Sequence, residues 1–355
     1  MEDLAREALE LAVLRGRPWP LGELVKSSSS TSNDGLLIEE LTLSTDKSKQ
    51  GARVPIRLVK ASHAQPRLPA VVLLHGTGHD MRQVAGLQER YARLGYLAVA
   101  MDLRYHGLRA GPGRTYQEAM LAAWKGELDE RPFLLDSTYD LLGLMGYLAA
   151  ARPDVDPRRI GLTGGWVGTQ PASRAAHETF SLGNLAGISL GGMHTWLAAA
   201  LDSRVAAAAP LIGIQGWDWA IRQRQYQGRV SSIPQFFEGC RALLGEQEVT
   251  PKVVEAAWHR LLPGLLGETG STPWDCPQTL PLIAPRPLLV LNGAEDPRCP
   301  IDGLREIEQA TASRYRALGV PDRFELEAIP GLGHRVTREM EDRVETFFNR
   351  HLLSK

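Results

Sequence analysis

From Pro69 onward the chain alternates short, unbroken apolar runs with stretches whose apolar residues recur every three or four positions. A run such as Ala70 to Leu74 has no polar face, so it suits a strand covered on both sides, and covering both sides takes helices between successive parallel strands. The same reading makes strands of Tyr96 to Met101, Ile160 to Gly164, Val205 to Ile212, Arg286 to Leu291 and Arg323 to Ile329. Between them Val84, Leu87, Tyr91 and Leu94 share one helix face, and a second helix spans roughly Leu135 to Ala151. Met193, Trp196, Leu197 and Ala200 form another such face, and Val336, Met340, Val344, Phe347 and Phe348 form the last. The expected class is α/β, a mostly parallel sheet with helices on both faces.

Residues 1–35 read as an N-terminal helix, with Leu4, Ala8, Leu11 and Leu14 at helical spacing, followed by a flexible polar linker from Ser27 to Gly35. Leu37 to Ser44 and Val54 to Val59 alternate in polarity around the turn Thr45 to Gly51, which predicts an antiparallel hairpin at a sheet edge. Residues 36–355 then make one domain. Within it, residues 215–285 carry Trp217, Trp219, Tyr226, Phe236, Phe237, Trp258 and Trp274 among helical patches. So long a stretch is not structureless inside a compact domain, and it reads as a helical cap insertion over the site or, more plainly, as surface helices.

Composition narrows the function classes. A net charge of −1 over 355 residues gives no electrostatic reason to expect a nucleic-acid or anionic-membrane partner. No apolar run reaches the length of a membrane-spanning helix, and the acidic start Met1-Glu2-Asp3-Leu4-Ala5-Arg6-Glu7 is unlike a secretory or transit signal, so a cytoplasmic location is expected. Cys240, Cys276 and Cys299 are odd in number and far apart, which suits reduced thiols better than a disulfide framework or a zinc site.

Ser189 stands in Gly187-Ile188-Ser189-Leu190-Gly191, a G-x-S-x-G pattern opening an apolar-faced helix. A serine hydroxyl is a weak nucleophile in water, so acyl transfer must expose it on a tight turn, give it a base and stabilise the oxyanion that forms. The flanking glycines suit such a turn, which is expected to hold the serine in a strained conformation. Asp296 follows the Pro287 to Leu291 run through Asn292-Gly293-Ala294-Glu295, and His334 follows the last strand through Pro330-Gly331-Leu332-Gly333. Serine, then acid, then histidine, with the last two on loops after late strands, is the order such sites take in a parallel sheet. His334 is the expected base, Asp296 the group that orients it, and Glu295 the substitute acid. A helix cap at Asp296 and an ordinary surface histidine at 334 are the plainer readings.

The turn His75-Gly76-Thr77-Gly78 directly after the first core strand would aim backbone amides at the serine. Thr77 and Leu190 are the expected oxyanion-hole donors, Gly78 the next choice, with His75, Gly76 and Gly78 supporting the loop; a simple tight connection is the alternative. His75, His79 and Asp80 have no supporting carboxylate or thiolate cluster, so neither metal nor cofactor is expected.

With these pieces together, residues from about 50 to the C-terminus resemble the α/β-hydrolase superfamily. More narrowly they resemble the branch holding the prolyl-oligopeptidase catalytic domain, the dienelactone hydrolases and acetyl-esterase-like enzymes. The match rests on His75-Gly76-Thr77-Gly78, on Asp102-Leu103-Arg104-Tyr105-His106-Gly107 in the place of that branch's D-x-R-G-H-G, on Asp156-Pro157-Arg158-Arg159-Ile160-Gly161, and on the Ser189, Asp296 and His334 segments. The resemblance implies an eight-stranded, mostly parallel sheet and a Ser189/Asp296/His334 triad, without choosing the substrate. The short stretch ahead of residue 50 leaves no room for the propeller of the oligopeptidases, so a small carboxylic ester cleaved through an acyl-enzyme fits better than a peptide. A small acyl-peptide or dipeptide hydrolase and a catalytically impaired ligand-binding protein are the alternatives. The expected partner is a small molecule, and no oligomeric state is indicated.

One feature departs from that pattern. Ile160 to Gly164 and Ile188 to Gly192 match the two sides of a strand-and-elbow, but residues 165–186 lie between them. They create a second elbow-like spacing, Gly164-Gly165-Trp166-Val167-Gly168, with a tryptophan that has no proton to give in acyl transfer. A retained intron would leave such a segment. Either it loops out and returns Ser189 to the elbow position, since closure entropy grows slowly with loop length, or Leu182 to Ala186 displaces Ile160 to Thr163 from the sheet.

Overall fold

The computed structural model describes residues 2–32, 34–46, 53–111, 113–127, 131–165, 189–267 and 272–353. Its strands are β1 (Glu23–Thr31), β2 (Leu36–Ser44), β3 (Arg53–Ala61), β4 (Leu68–Leu74), β5 (Leu97–Met101), β6 (Val155–Gly164), β7 (Val205–Pro210), β8 (Leu288–Gly293) and β9 (Phe324–Ile329). They join in one nine-stranded sheet ordered β1-β2-β3-β5-β4-β6-β7-β8-β9. The pairs from β1 to β5 in that order are antiparallel, and every pair from β5 onward to β9 is parallel.

The helices are α1 (Glu2–Leu14), α2 (Ala85–Arg93), α3 (Tyr116–Lys125), α4 (Phe133–Ala150), α5 (Leu190–Leu201), α6 (Trp217–Arg222), α7 (Gln227–Ser232), α8 (Pro234–Leu243), α9 (Pro251–Leu261), α10 (Cys276–Thr279), α11 (Ile301–Ala317) and α12 (Arg338–Phe348). Strand periodicity splits the core into two layers. Ala70, Val72 and Leu74 of β4 face a cluster with Leu141, Leu144 and Leu148 of α4 and Trp196 and Leu197 of α5. Val71 and Leu73 of the same strand face the other side, against Tyr91 of α2 and Met340, Val344 and Phe348 of α12. The β5-β4-β6 order places a topological switch point beside β4, where open α/β sheets form crevices at the carboxyl ends of their strands.

Two N-terminal expectations change. The Ser27 to Gly35 stretch is not all linker, because Glu23–Thr31 adds a ninth strand at the edge, outside the hairpin, with Ser27 opposite Leu41 and Ser30 opposite Ile38. All nine of its residues are exposed, so no face of β1 calls for apolar alternation, and backbone pairing to β2 holds it instead. Helix α1 buries Ala5, Leu9 and Val13, while Leu4 and Leu11 are exposed. Its apolar residues surround more than one side of the helix, and a stripe one position away from the expected one meets the protein.

The 215–285 segment is helical from α6 to α10 over its described residues. Its aromatics mainly pack on one another: Phe236, Phe237 and Trp258 meet with ring centroids 5.2–6.0 Å apart, and Trp217 joins Trp258 to Trp196 of α5. They form an interior of this segment continuous with the core rather than a ring-lined pocket. The three cysteines are buried and unpaired. Among the described residues no helix is long and apolar enough to cross a membrane.

Candidate active site

Strand β6 keeps Ile160 to Gly164 in the sheet, paired with β4 on one side and β7 on the other, so Leu182 to Ala186 does not take its place. Those residues and Trp166 lie outside the described residues. The chain nevertheless brings the start of α5 back to the end of β6. A Cβ built on Gly164 would lie 2.7 Å from Leu74 Cβ and 2.8 Å from the Gly191 carbonyl carbon. One on Gly191 would lie 2.6 Å from Leu74 O, and one on Gly192 2.3 Å from Leu211 O. Glycines on both sides therefore let the first turn of α5 rest on the carboxyl ends of β4, β6 and β7, which puts Ser189, its N-cap, at the switch point.

Ser189 has φ −69° and ψ 71°, so it does not take the left-handed conformation that would strain an elbow. That strain belongs to a strand reversing into a helix through one residue, and here Gly164 and Ser189 are not neighbours in sequence. The close glycine contacts carry a prediction. Gly191→Ala should destabilise the fold by about 1–3 kcal/mol through overpacking. Gly86→Ala, where an added Cβ in α2 meets nothing within 4 Å, should stabilise by about 0.5–1 kcal/mol. Urea midpoints of the two variants should move in opposite directions.

The loops after β8 and β9 meet at Gly293, where an added Cβ would lie 2.2 Å from Leu332 O and 2.4 Å from Gly333 O. Glu295 N donates to Leu332 O at 2.9 Å and Ala294 N to Ile329 O at 2.9 Å. This stitching brings the two loops' polar side chains together. His334 Nδ1 lies 2.7 Å from Asp296 Oδ2, and His334 Nε2 lies 2.5 Å from Ser189 Oγ. An ionised carboxylate only accepts, so Nδ1 carries the proton and Nε2 is left to accept from the serine hydroxyl. Glu295, the substitute acid, is exposed, whereas Asp296 is 2% exposed.

Asp296 Oδ1 accepts from the backbone amides of Arg298 at 2.8 Å and Cys299 at 3.3 Å. Burial alone would raise the Asp296 pKa, but the His334 bond and charge and the Arg298 amide outweigh it and leave the carboxyl below its usual range. Burial also lowers the His334 pKa, the Asp296 hydrogen bond and charge oppose that, and the Arg298 and Arg229 cations lower it further, leaving it below the ordinary imidazole value. At neutral pH the ring is thus neutral and able to take a proton.

Asp296, Cys299 and His334 hold potential metal-ligand atoms within 4.8 Å of one another. The donor set does not suit a metal. His334 Nδ1 and Asp296 already bond each other, and the Cys299 thiol, its pKa pushed far up by burial and by Asp296, donates to Ile212 O at 3.4 Å.

The turn after β4 sits beside this cluster, since a Cβ on Gly191 would also come within 2.9 Å of His75 O. His75 is fully buried, donates from Nδ1 to Gly76 O at 2.8 Å and accepts at Nε2 from Leu103 N at 3.1 Å. Burial lowers its pKa to about 3, so it is a neutral brace between the ends of β4 and β5. Gly76 N is committed to Gln83 Oε1 at 3.0 Å, and Gly78 takes φ +78°, which favours glycine. Buried Thr77 lies between them, and Leu190 is the first residue of α5, where a helical amide has no partner within its own helix.

The sequence profile of the Alpha/beta hydrolase family matches residues 71–347. The chain belongs to this family. YtaP of Bacillus subtilis (strain 168) is 22% identical over 314 residues, covering 84% of this chain and 81% of that protein. Acetyl xylan esterase 1 from Thermoanaerobacterium sp. JW/SL YS485 has a similar structure, with TM-score 0.62 and 16% identity over 99% of this chain and 93% of that one. Glucuronoyl esterase from Solibacter usitatus gives TM-score 0.62 and 14% identity over 98% and 91% of the two chains. At such identities the likeness is one of fold.

Within this alpha/beta hydrolase the Asp102 motif acts as a brace. Asp102 accepts from Met81 N and Leu108 N at 2.8 Å each, and Gly107 approaches so closely that an added Cβ would lie 2.4 Å from the carboxylate. Tyr105, where the related pattern has glycine, takes φ +61° and packs against Phe133. The Arg298 and Cys299 amides on Asp296 Oδ1 match the capping role that was the plainer reading of this residue, and the same side chain bonds His334 through its other oxygen. Sequence reasoning missed one group beside Asp296. Arg229, on α7 and far away in sequence, left no local signal.

Proposed function

We propose that this hydrolase cleaves a small carboxylic ester through an acyl-enzyme on Ser189. The observation that carries the reading is the continuous chain Ser189 Oγ to His334 to Asp296, at 2.5 and 2.7 Å. In this reading His334 Nε2 takes the serine proton as Oγ attacks the ester carbonyl, and Asp296 stabilises the imidazolium without itself becoming protonated. The amides of Leu190 and Thr77 are the proposed donors to the oxyanion. Collapse of the tetrahedral intermediate breaks the bond to the alcohol oxygen, which takes the proton from His334. Water then attacks the acyl-enzyme with His334 again as base, releasing the acid and restoring Ser189. No step calls for a metal or cofactor, and a cytoplasmic setting accords with three buried, unpaired thiols.

The esterase names of the structural relatives favour an ester over a peptide. A fluorophosphonate probe tests the nucleophile: the wild type should label and Ser189→Ala should not, and equal labelling of both would reject Ser189. Comparing p-nitrophenyl acetate with an aminoacyl p-nitroanilide tests the substrate class. Preferred cleavage of the anilide would replace the esterase reading with a peptidase one.

A further inference from the structure

Arg229 has three connections to the polar centre of the protein. It is 3% exposed, its Nε and Nη2 donate to Gln215 Oε1 at 3.1 and 2.6 Å, and Nη2 also donates to Arg298 O at 3.3 Å. Nη2 further stands 4.0 Å from Cys299 Sγ, while Nη1 is buried without a hydrogen-bond partner. Among the described residues no carboxylate is hydrogen-bonded to this guanidinium. A buried charge so placed carries a desolvation penalty of several kcal/mol unless an opposite field offsets it. Burial pulls its pKa below the usual guanidinium range, and the Asp296 carboxylate field opposes that.

The backbone beside Arg229 is equally committed. A Cβ on Gly228 would lie 2.1 Å from Pro297 O, so α7 rests directly on the loop that carries the acid. That loop also supplies the Arg298 carbonyl and the Cys299 side chain that Arg229 touches. Gln215, on the other side of the fork, follows β7, so the guanidinium ties the exit of the central sheet to residues 297–299.

We infer that Arg229 is a positioning residue, which clamps the Asp296 loop from α7 and through it holds the Asp296–His334 pair in register with Ser189. The inference rests on the proposed roles of those three residues. The charged and titratable groups facing His334 are Asp296, which favours its protonated form, and Arg298 and Arg229, which oppose it; Ser189 and the Cys299 thiol complete the surroundings. Two effects follow from one side chain: mechanical support of the acid loop, and a fixed positive charge that keeps the base deprotonated.

The test uses full-length protein with Arg229→Met and Arg229→Lys. Arg229→Met should raise the His334 pKa by about half a pH unit or more, because a nearby cation is lost. It should also lower kcat on p-nitrophenyl acetate about tenfold with little change in KM, since a small misplacement of catalytic groups weakens the chemical step. The pKa is read from the His334 ring by NMR titration, assigned by its loss in His334→Gln, so it needs no turnover. Wild type without Ser189-dependent activity would reject the proposed function, and the NMR shift would still decide on Arg229. Arg229→Lys keeps the charge and gives up the fork, so it should leave the pKa at the wild-type value while kcat falls. If Arg229→Met does not fold, Arg229→Lys alone carries the test. An unmoved pKa in Arg229→Met, or wild-type kcat in Arg229→Lys, overturns the inference.

Discussion

Ser189→Ala should lower turnover of p-nitrophenyl acetate by about five to six orders of magnitude, and adding His334→Ala to it should cost almost nothing more. The expectation follows from the hydrogen-bonded chain at 2.5 and 2.7 Å, in which, on the proposed mechanism, each group works only through the next. Without Oγ there is no nucleophile for His334 to deprotonate, and without His334 the hydroxyl is nearly inert at neutral pH. Two independent contributions would multiply, and a shared one does not. Asp296→Asn should be milder, about 10⁴-fold, because an amide can present a donor to Nδ1 and favour the wrong ring tautomer. Some rate above the uncatalysed reaction should remain in every variant, from the oxyanion donors and from substrate binding. The decisive measurement is kcat for the single variants and the Ser189→Ala/His334→Ala double variant on one substrate. Multiplicative losses would mean that the short contacts do not operate as one unit.

Asp296 and His334 were legible because each follows an apolar run and a glycine-containing loop, and Ser189 because of its G-x-S-x-G spacing, all of them local signals. Strands buried on both faces announce themselves as unbroken apolar runs, which is why β4, β5, β7 and β8 could be anticipated close to their observed limits, whereas the polar first half of β6, from Val155, was not. β1 could not be. A strand exposed on both faces has no side-chain periodicity, and its polar Ser27 to Thr31 residues read as linker. The aromatics between 215 and 285 were visible as a cluster, but composition does not tell a pocket lining from an interior, and the structure turns them onto each other. The return of Ser189 to the end of β6 depended on Gly164, Gly191 and Gly192. Their presence was readable, whereas the backbone contacts that need them form only in three dimensions. The proposed Arg229 clamp belongs to the same category, since the partners of its guanidinium, Gln215, Arg298 and Cys299, are all remote in sequence.

The polar network under α4 is another such case, and it sets the largest stability effect expected here. Asp140 is fully buried and accepts from Thr45 Oγ1 at 2.5 Å, Arg104 Nε at 2.9 Å and Arg109 Nη2 at 2.8 Å. Asp136, one turn earlier, accepts from Arg17 Nη2 at 2.8 Å and Arg104 Nη1 at 2.7 Å. Together they join the chain after α1, the end of β2 and the loop after β5 to a single helix. Burial would raise the Asp140 pKa, but the charges of Arg109 and Arg104 and the hydrogen bonds from Arg104 and Thr45 prevail and bring it to about 2. Asp140→Ala takes the carboxylate partner from Arg109 and leaves Arg104 with Asp136 as its anion, and should therefore cost about 3–5 kcal/mol at neutral pH. Because the folded-state pKa lies below the unfolded value near 3.8, the carboxylate's contribution is present above that value and fades as pH falls toward about 2. The difference in urea unfolding free energy between wild type and Asp140→Asn should accordingly be constant from neutral pH down to about pH 5 and shrink below pH 4. A difference that is already small at pH 7 would mean that water or backbone groups satisfy Arg104 and Arg109 when the carboxylate is gone, and that the network orders the loop after β5 without stabilising the fold.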